Sequence, residues 1–206
     1  YCIKTIMFSS KPLLQTALLK LIGECITAID TDKIVGFILL DSYKAFDLVN
    51  HDLLIKKLNL YKINSALFYL INKTAVNNLT IPVQYPVHTV SLPGVPQGSV
   101  LGPHLFLIYI NDLLLSLNNS SANLFADDTP INVTDCSIHT VVQSLTNDIT
   151  NIQSWCDANL MTLNISKTKV MYMSSRHKHH NINISDTHIY IYKSTVTVSP
   201  NETFLK

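Results

Sequence analysis

The chain has 206 residues, of which 47% are hydrophobic, and a formal net charge of +1 at pH 7. This is enough apolar sequence for one domain with a buried core, but no run reaches the roughly 18 uninterrupted apolar residues of a membrane span, so the composition excludes a membrane-spanning helix. The near-neutral charge does not by itself suggest a nucleic-acid enzyme, because phosphate contacts usually require a clear basic excess.

The four cysteines (Cys2, Cys25, Cys136 and Cys156) are scattered, without a Cys-x-x-Cys pair. This spacing fits neither a disulfide framework nor a zinc site and is typical of a reducing compartment. The first residues do not resemble a signal peptide, and position 1 is not methionine. We therefore expect a fragment of an intracellular protein that is not secreted and acts in the cytoplasm, the nucleus or both.

Apolar residues recur at steps of three and four from about residue 12 to 30, which predicts an amphipathic helix. The short apolar run from Ile34 to Leu40 predicts a buried strand that ends at Asp41. Residues 51–60 return to helical spacing, and Asn50 is the expected N-cap of that helix.

The middle of the chain is less regular. Residues 65–76 are predicted as a helix, and residues 79–92, which contain two prolines, as irregular or edge strands. A turn follows at Pro93–Gly94, and residues 99–117 begin as a loop and become helical.

The second half alternates strands and a long helix. Residues 123–134 are predicted as a strand, a tight turn at Asp127–Asp128 and a second strand. Apolar spacing from Ile138 to Trp155 predicts a long helix, and residues 162–174 are predicted as a turn followed by a strand. The mixture of helices and strands predicts an α+β fold.

Three aspartates stand where these predicted strands end. Asp41 follows a buried strand, and Asp127–Asp128 lies at the tip of a predicted hairpin. If the two strands are neighbours, the carboxylates converge, which is electrostatically unfavourable unless a divalent cation is bound. Mg²⁺ prefers such oxygen ligands. Spacing alone leaves a second interpretation open, since aspartates are also common as turn and capping residues.

Three segments resemble the catalytic motifs of non-LTR (LINE-type) reverse transcriptases, in that family's order: LLDSYKAFDLVNH (39–51), GVPQGSVLGPHLFLIYIND (94–112) and LFADDT (124–129). A fourth, NLMTLNISKTK (159–169), resembles the family segment that ends in a lysine. The resemblance implies a palm-type antiparallel sheet packed on helices, with fingers and thumb largely missing. It also implies a reverse transcriptase domain over residues 1–175 and a divergent tail over residues 176–206.

The resemblance also implies roles for single residues. Asp41, Asp127 and Asp128 are expected to hold two Mg²⁺ ions, for which Mn²⁺ could substitute. Lys167 resembles the lysine that protonates the pyrophosphate leaving group, although a solvated surface lysine is the competing interpretation.

Four further residues are expected to bind the incoming dNTP: Ser42, Phe46, Gln97 and Gly98. Phe46 stands where the family places an aromatic side chain under the sugar, so that its bulk excludes a 2′-hydroxyl; the competing interpretation is a plain core residue. Backbone amides between Ser42 and Phe46 are expected to hold the triphosphate.

The implied function is that of an RNA-directed DNA polymerase core that acts in retrotransposition. Its partners would be an RNA template, a DNA primer and dNTPs, with no membrane, and the sequence does not indicate an oligomeric state. The alternative is a catalytically incompetent retroelement remnant with weak or no nucleic-acid binding. No convincing match to the family's primer-grip segment is found after residue 185, and Pro130 is expected to remove a ladder hydrogen bond from the strand after the paired aspartates.

Overall fold

The computed structural model describes residues 11–62, 94–95, 102–122, 129–179, 187–192 and 194–196. In chain order they form α1 (Lys11–Asp30), β1 (Ile34–Leu40), α2 (His51–Leu60), α3 (Gly102–Ile110), a 3₁₀ helix η1 (Asn111–Ser116), β2 (Ser121–Ala122), β3 (Thr129–Asp135), α4 (Ile138–Ala158), β4 (Lys169–Met173), α5 (Arg176–His179), β5 (Tyr190–Ile191) and β6 (Ser194–Thr195).

Four strands form one antiparallel sheet in the order β2-β3-β1-β4. The run IVGFILL therefore becomes an inner strand, in which every residue except Leu39 is buried. The register pairs Leu40 with Thr129 on one side and Leu39 with Lys169 on the other. Consequently the end of β1 that leads into Asp41 lies beside the start of β3.

Helices cover both faces of the sheet. On one face Ile34 and Ile38 belong to the main core with residues of α3 and α4. On the other face Val35 and Phe37 pack in a smaller cluster against Cys25 of α1 and its neighbours. This alternation along β1 follows from the two-residue period of a strand, and the architecture confirms the predicted α+β fold.

The predicted helices and strands are confirmed wherever the structure describes them. The Asn50 side chain accepts a hydrogen bond from the Leu53 amide at 3.0 Å, which is the predicted N-cap of α2. The long predicted helix is α4, with its apolar stripe buried. The predictions for residues 65–76, 79–92 and 123–128 lie outside the described residues.

A small hairpin of β5 and β6 follows the sheet and was not predicted. Ile189, Ile191 and Val196 are buried in the main core, and Tyr192 donates a hydrogen bond of 3.1 Å to Asp157 of α4. The residues beyond the predicted boundary at 175 are therefore packed, in part, against the domain that precedes them. None of the helices in the described residues has the length and apolar character to cross a membrane.

Candidate active site

The predicted site is built around the end of β1. Asp41 directly follows that strand and is partly exposed. Thr129, which pairs with Leu40, is the residue that follows Asp128 in the sequence. Asp127, Asp128, Gln97 and Gly98 lie outside the described residues.

A second segment runs antiparallel to the residues after β1. The Tyr43 amide donates to the Thr162 carbonyl, and the Asn164 amide donates to the Asp41 carbonyl, both at 2.8 Å. These bonds form an isolated bridge between Ser42 and Leu163. The segment that resembles the family's lysine motif is thus fixed along Asp41 by main-chain hydrogen bonds.

The turn after Ser42 places Phe46 between the core and the surface. Lys44 adopts φ +45°, and its carbonyl accepts hydrogen bonds from the amides of Asp47 and Leu48. The Phe46 ring lies 4.6 Å, centroid to centroid, from the buried ring of Phe106 on α3. Phe46 thus packs against the core and also borders a cavity, and its role under a nucleotide sugar stays a prediction.

The beginning of the GVPQGS segment docks on the same turn. The Val95 amide donates to the Phe46 carbonyl, and the Gly94 amide donates to the Val49 carbonyl, both at 2.9 Å. Gly94 adopts φ +107°, and an added Cβ would lie 3.0 Å from the backbone of Asp47. Only glycine fits such a close approach in this conformation, so the sequence needs a glycine at position 94.

A cavity of about 330 Å³ opens where these segments meet. Four of the predicted site residues contribute to its wall: Asp41, Ser42, Phe46 and Lys167. The rest of the lining consists of Tyr43, Lys44, Ala45, Asp47 and Asn164. The structure thus brings together, on one cavity, every predicted site residue that it describes.

The groups facing this cavity suit a phosphate-bearing ligand with a metal ion. Within the described part of the chain, the Asp41 carboxylate has no hydrogen-bond or ion-pair partner, so its oxygens remain available to a cation. The described residues contain no group of three or more His, Cys, Asp or Glu able to hold a metal. Asp41 is the predicted carboxylate that the described residues place on the cavity, and Asp127 and Asp128 lie outside those residues.

One expectation about the triphosphate site changes. The Tyr43 amide is occupied by the Thr162 carbonyl, so it cannot donate to a ligand. In the described residues no acceptor is found for the amides of Lys44, Ala45 and Phe46. These three amides, together with the cationic side chains of Lys44 and Lys167 on the cavity wall, are the available phosphate donors.

A cluster of polar groups around the buried Lys57 of α2 was not predicted from the sequence. The Lys57 ammonium lies 2.7 Å from the Asp112 carboxylate and 2.6 Å from the Tyr109 carbonyl, and 4.8 Å from the ring centres of Tyr109 and Trp155. Burial lowers the pKa of Lys57, against the opposing effect of Asp112. The Tyr109 hydroxyl also donates to the Asn159 carbonyl. The cluster thus ties α2, α3 and α4 together where the segment along Asp41 begins.

A buried carboxylate on α4 binds the main chain of the residues that precede β2. Asp148 of α4 is 1% exposed and accepts hydrogen bonds from the amides of Asn118, Asn119 and Ser120, the shortest at 2.7 Å from Ser120. Three convergent amides satisfy a buried carboxylate well. Helical spacing alone could not single out this polar residue on the inner face of α4.

Comparison with known proteins gives the family. A family model described as reverse transcriptase (RNA-dependent DNA polymerase) matches residues 6–196. The chain is also similar to a Drosophila melanogaster protein described as a probable RNA-directed DNA polymerase from transposon BS, with 27% identity over 160 residues. That alignment covers 72% of this chain and 17% of the relative, so the chain spans a small part of the relative's length. The family match takes in all four resembling motifs and the β5–β6 hairpin, and the chain therefore belongs to the reverse transcriptase family.

Proposed function

We propose that the chain forms the catalytic palm part of an RNA-directed DNA polymerase encoded by a non-LTR retrotransposon. The observation that carries the proposal is the single cavity on which Asp41, Ser42, Phe46 and Lys167 meet in a member of the reverse transcriptase family. The description of the relative as a transposon-borne polymerase supports the element of origin.

The proposed substrate is a dNTP. A cavity of about 330 Å³ lies within the usual range of small-ligand pockets. The amides of Lys44, Ala45 and Phe46 would hold the phosphates, and the Phe46 ring would lie under the sugar. Because Phe106 packs against the inner side of that ring, Phe46 has little room to move aside for a 2′-hydroxyl.

The proposed metal ligands are Asp41, Asp127 and Asp128, which would hold two Mg²⁺ ions, or Mn²⁺ in their place. Carboxylate oxygens suit these hard cations, and two ions on a phosphoryl group, when bound, neutralise charge on the attacking and leaving oxygens. Support from the fold is the register that sets Leu40, the residue before Asp41, opposite Thr129, the residue after Asp128 in the sequence.

In the proposed reaction, the 3′-hydroxyl oxygen of a DNA primer bonds to the α-phosphorus of a dNTP that is paired with the RNA template. The bond from that phosphorus to the pyrophosphate oxygen breaks, and the hydroxyl proton passes to water. Lys167 would donate a proton to the leaving pyrophosphate. Most of the rate enhancement would come from orientation and charge stabilisation in the site.

Primer extension tests the proposal. The purified chain is incubated with oligo(dT) on poly(rA), dTTP and Mg²⁺, and product length is measured on a gel. Asp41→Asn is expected to lower extension on the order of 10²–10³-fold, since it removes a charged ligand of the site. Asp30→Asn, an exposed carboxylate at the end of α1, is the matched control and is expected to change little. Extension that survives Asp127→Asn would contradict the role proposed for that residue.

The alternative is a catalytically incompetent remnant. It predicts no extension and no binding of dTTP by the wild-type chain. The flanking reading frame separates the two further, since an intact frame that continues into fingers and thumb favours the polymerase, whereas stop codons favour the remnant. For either, we propose an intracellular location in the cytoplasm, the nucleus or both.

A further inference from the structure

The turn from Asn164 to Thr168 carries Lys167 to the cavity and is attached to Asp41 at two points. The Asn164 amide donates to the Asp41 carbonyl at 2.8 Å, and the Asp41 amide donates to the Thr168 hydroxyl oxygen at 3.4 Å. Asp41 is therefore held on both its main-chain groups by the turn that presents Lys167.

The Thr168 hydroxyl bonds both to Asp41 and to the first residue of the turn. Thr168 has no exposed surface, and its hydroxyl donates to the Asn164 carbonyl at 2.9 Å. The hydroxyl therefore donates its hydrogen to the first residue of the turn, and one lone pair of its oxygen accepts the hydrogen bond from the Asp41 amide. The bond to Asn164 has an ordinary length and the bond from Asp41 is long, so the hydroxyl is anchored on the turn and links it to the residue that follows β1.

We propose that Thr168 is a positioning residue of the nucleotide site, which sets the placement of Lys167 relative to the Asp41 carboxylate through its hydroxyl. The inference rests on the proposed function and adds a residue that touches neither the substrate nor the metal in the proposed mechanism. Lys167 and Asp41 both line the cavity, but their side chains come from segments more than a hundred residues apart in sequence. Their spacing therefore depends on the contact between those segments.

Removing the Thr168 hydroxyl would leave the hydrogen bonds within the Asn164–Thr168 turn largely intact and would remove a bond between that turn and Asp41. The Asn164 carbonyl would keep its hydrogen bonds from the amides of Lys167 and Thr168, at 3.2 and 2.9 Å. The Asp41 amide would lose the acceptor that the described residues give it. The turn would stay closed on itself and would keep the bond from the Asn164 amide to the Asp41 carbonyl, but its second attachment to Asp41, through the Asp41 amide, would be lost. An error of about 1 Å in placing reacting groups lowers catalysis on the order of 10²-fold.

Thr168→Val tests this directly, because valine has nearly the same shape and no hydroxyl. Binding of dTTP in the presence of Mg²⁺ is measured by titration calorimetry on the whole chain, beside the urea midpoint of each variant. Thr146→Val is the matched control, since the Thr146 hydroxyl donates at 2.7 Å to a carbonyl within α4. Thr168→Val is expected to weaken dTTP binding at least about tenfold and Thr146→Val less than about twofold.

Thr168→Ser and Thr168→Ala keep the test decisive if the valine variant does not fold. Both lose the methyl group, and only serine retains the hydroxyl, so serine is expected to bind dTTP within about threefold of wild type and alanine at least about tenfold more weakly. Equal dTTP affinities of the serine and alanine variants, or of Thr168→Val and Thr146→Val, would overturn the inference.

The same titrations separate this inference from the proposed function. If Asp41→Asn weakens dTTP binding while the Thr168 variants bind like wild type, the nucleotide site stands and the positioning role is wrong. If the wild-type chain does not bind dTTP with Mg²⁺, or binds it as well after Asp41→Asn, the proposed nucleotide site fails and the positioning role fails with it.

Discussion

Gly36 of β1 packs directly against α4, and replacing it by alanine should destabilise the fold. A Cβ at this position would lie 2.4 Å from Cγ1 of Val141 and 2.9 Å from Cδ1 of Leu145. Ordinary carbon–carbon contacts are about 3.5–4.0 Å, so both methyl groups must move away, that of Val141 by at least about 1 Å. Val141 is fully buried and β-branched, and in a helix such a side chain has one preferred rotamer.

The size of the effect follows from two opposing contributions. Overpacking of a close-packed core lowers the free energy of unfolding by about 1–3 kcal/mol. Alanine also restricts the unfolded chain relative to glycine, and this effect raises the free energy of unfolding by about 0.4–1 kcal/mol. The net expectation for Gly36→Ala is a loss of about 1–2 kcal/mol.

Urea unfolding followed by far-ultraviolet circular dichroism measures this change. Gly23→Ala is the matched control, because the same substitution on α1 meets no atom within 4 Å. It should raise stability by about 0.5–1 kcal/mol through helix propensity. In the Val141→Ala background, Gly36→Ala should cost less than in the wild type, since the opposing methyl group is gone. Unchanged stability of Gly36→Ala, or an equal loss in both backgrounds, would refute the reasoning.

Three further predictions concern buried polar groups. Burial raises the pKa of the Cys156 thiol to about 12 from 9.0, with a smaller contribution from Asp157. The unfolded chain therefore releases this proton first as pH rises, and the thiol's contribution to stability should fall by about 1.4 kcal/mol between pH 7 and 10, a decline that Cys156→Ala removes. Asp148→Asn should lower the free energy of unfolding by about 2–4 kcal/mol, because its new NH₂ group must face amide donors. Lys57→Ala should lower it by about 1–2 kcal/mol, because Asp112 loses its cation while its side chain stays 34% exposed to water, and Lys57→Met, which keeps the apolar stem, should lower it by less.

Each of these has an outcome that would contradict it. Parallel curves of stability against pH for the wild type and Cys156→Ala would show that the thiol titrates alike in both states. Asp148→Asn with wild-type stability would mean that an amide serves the turn before β2 equally well. Equal losses for Lys57→Ala and Lys57→Met would show that the stem of Lys57 contributes nothing to the cluster. All three are measured by urea unfolding.

Much of the fold could be predicted because its elements carry strong local patterns. The run from Ile34 to Leu40 is apolar throughout and became the inner strand, and the spacing from Ile138 to Trp155 became α4. The β5–β6 hairpin escaped prediction because its strands have two residues each, too few for a period to show. The hairpin is buried because it packs in the main core with α4, and a contact between segments so far apart in sequence leaves no local pattern.

The residues around the cavity were singled out from the sequence only in part. Asp41 was singled out by its place after a predicted strand as well as by the family resemblance, Ser42, Phe46 and Lys167 by the resemblance alone, and all four line one cavity in the structure. Thr168 was not singled out, because a threonine beside a lysine has no local signature of its role. That role depends on a hydrogen bond from Asp41, 127 positions away in the sequence, which only the fold reveals.

The way the site is assembled indicates which substitutions it can tolerate. Residues 41–46, 94–95 and 162–168 are joined mainly by hydrogen bonds between main-chain groups. Such bonds do not depend on side-chain identity, so most positions in these segments can change while the geometry of the cavity persists. The exceptions are positions where a side chain, or its absence, shapes the site in a way that the backbone cannot: the missing Cβ of Gly94, the ring of Phe46 and the hydroxyl of Thr168. A chain of this family that keeps those three groups can therefore lose much of its identity elsewhere and still present the same cavity, whereas loss of any one of them should alter the site before the fold fails.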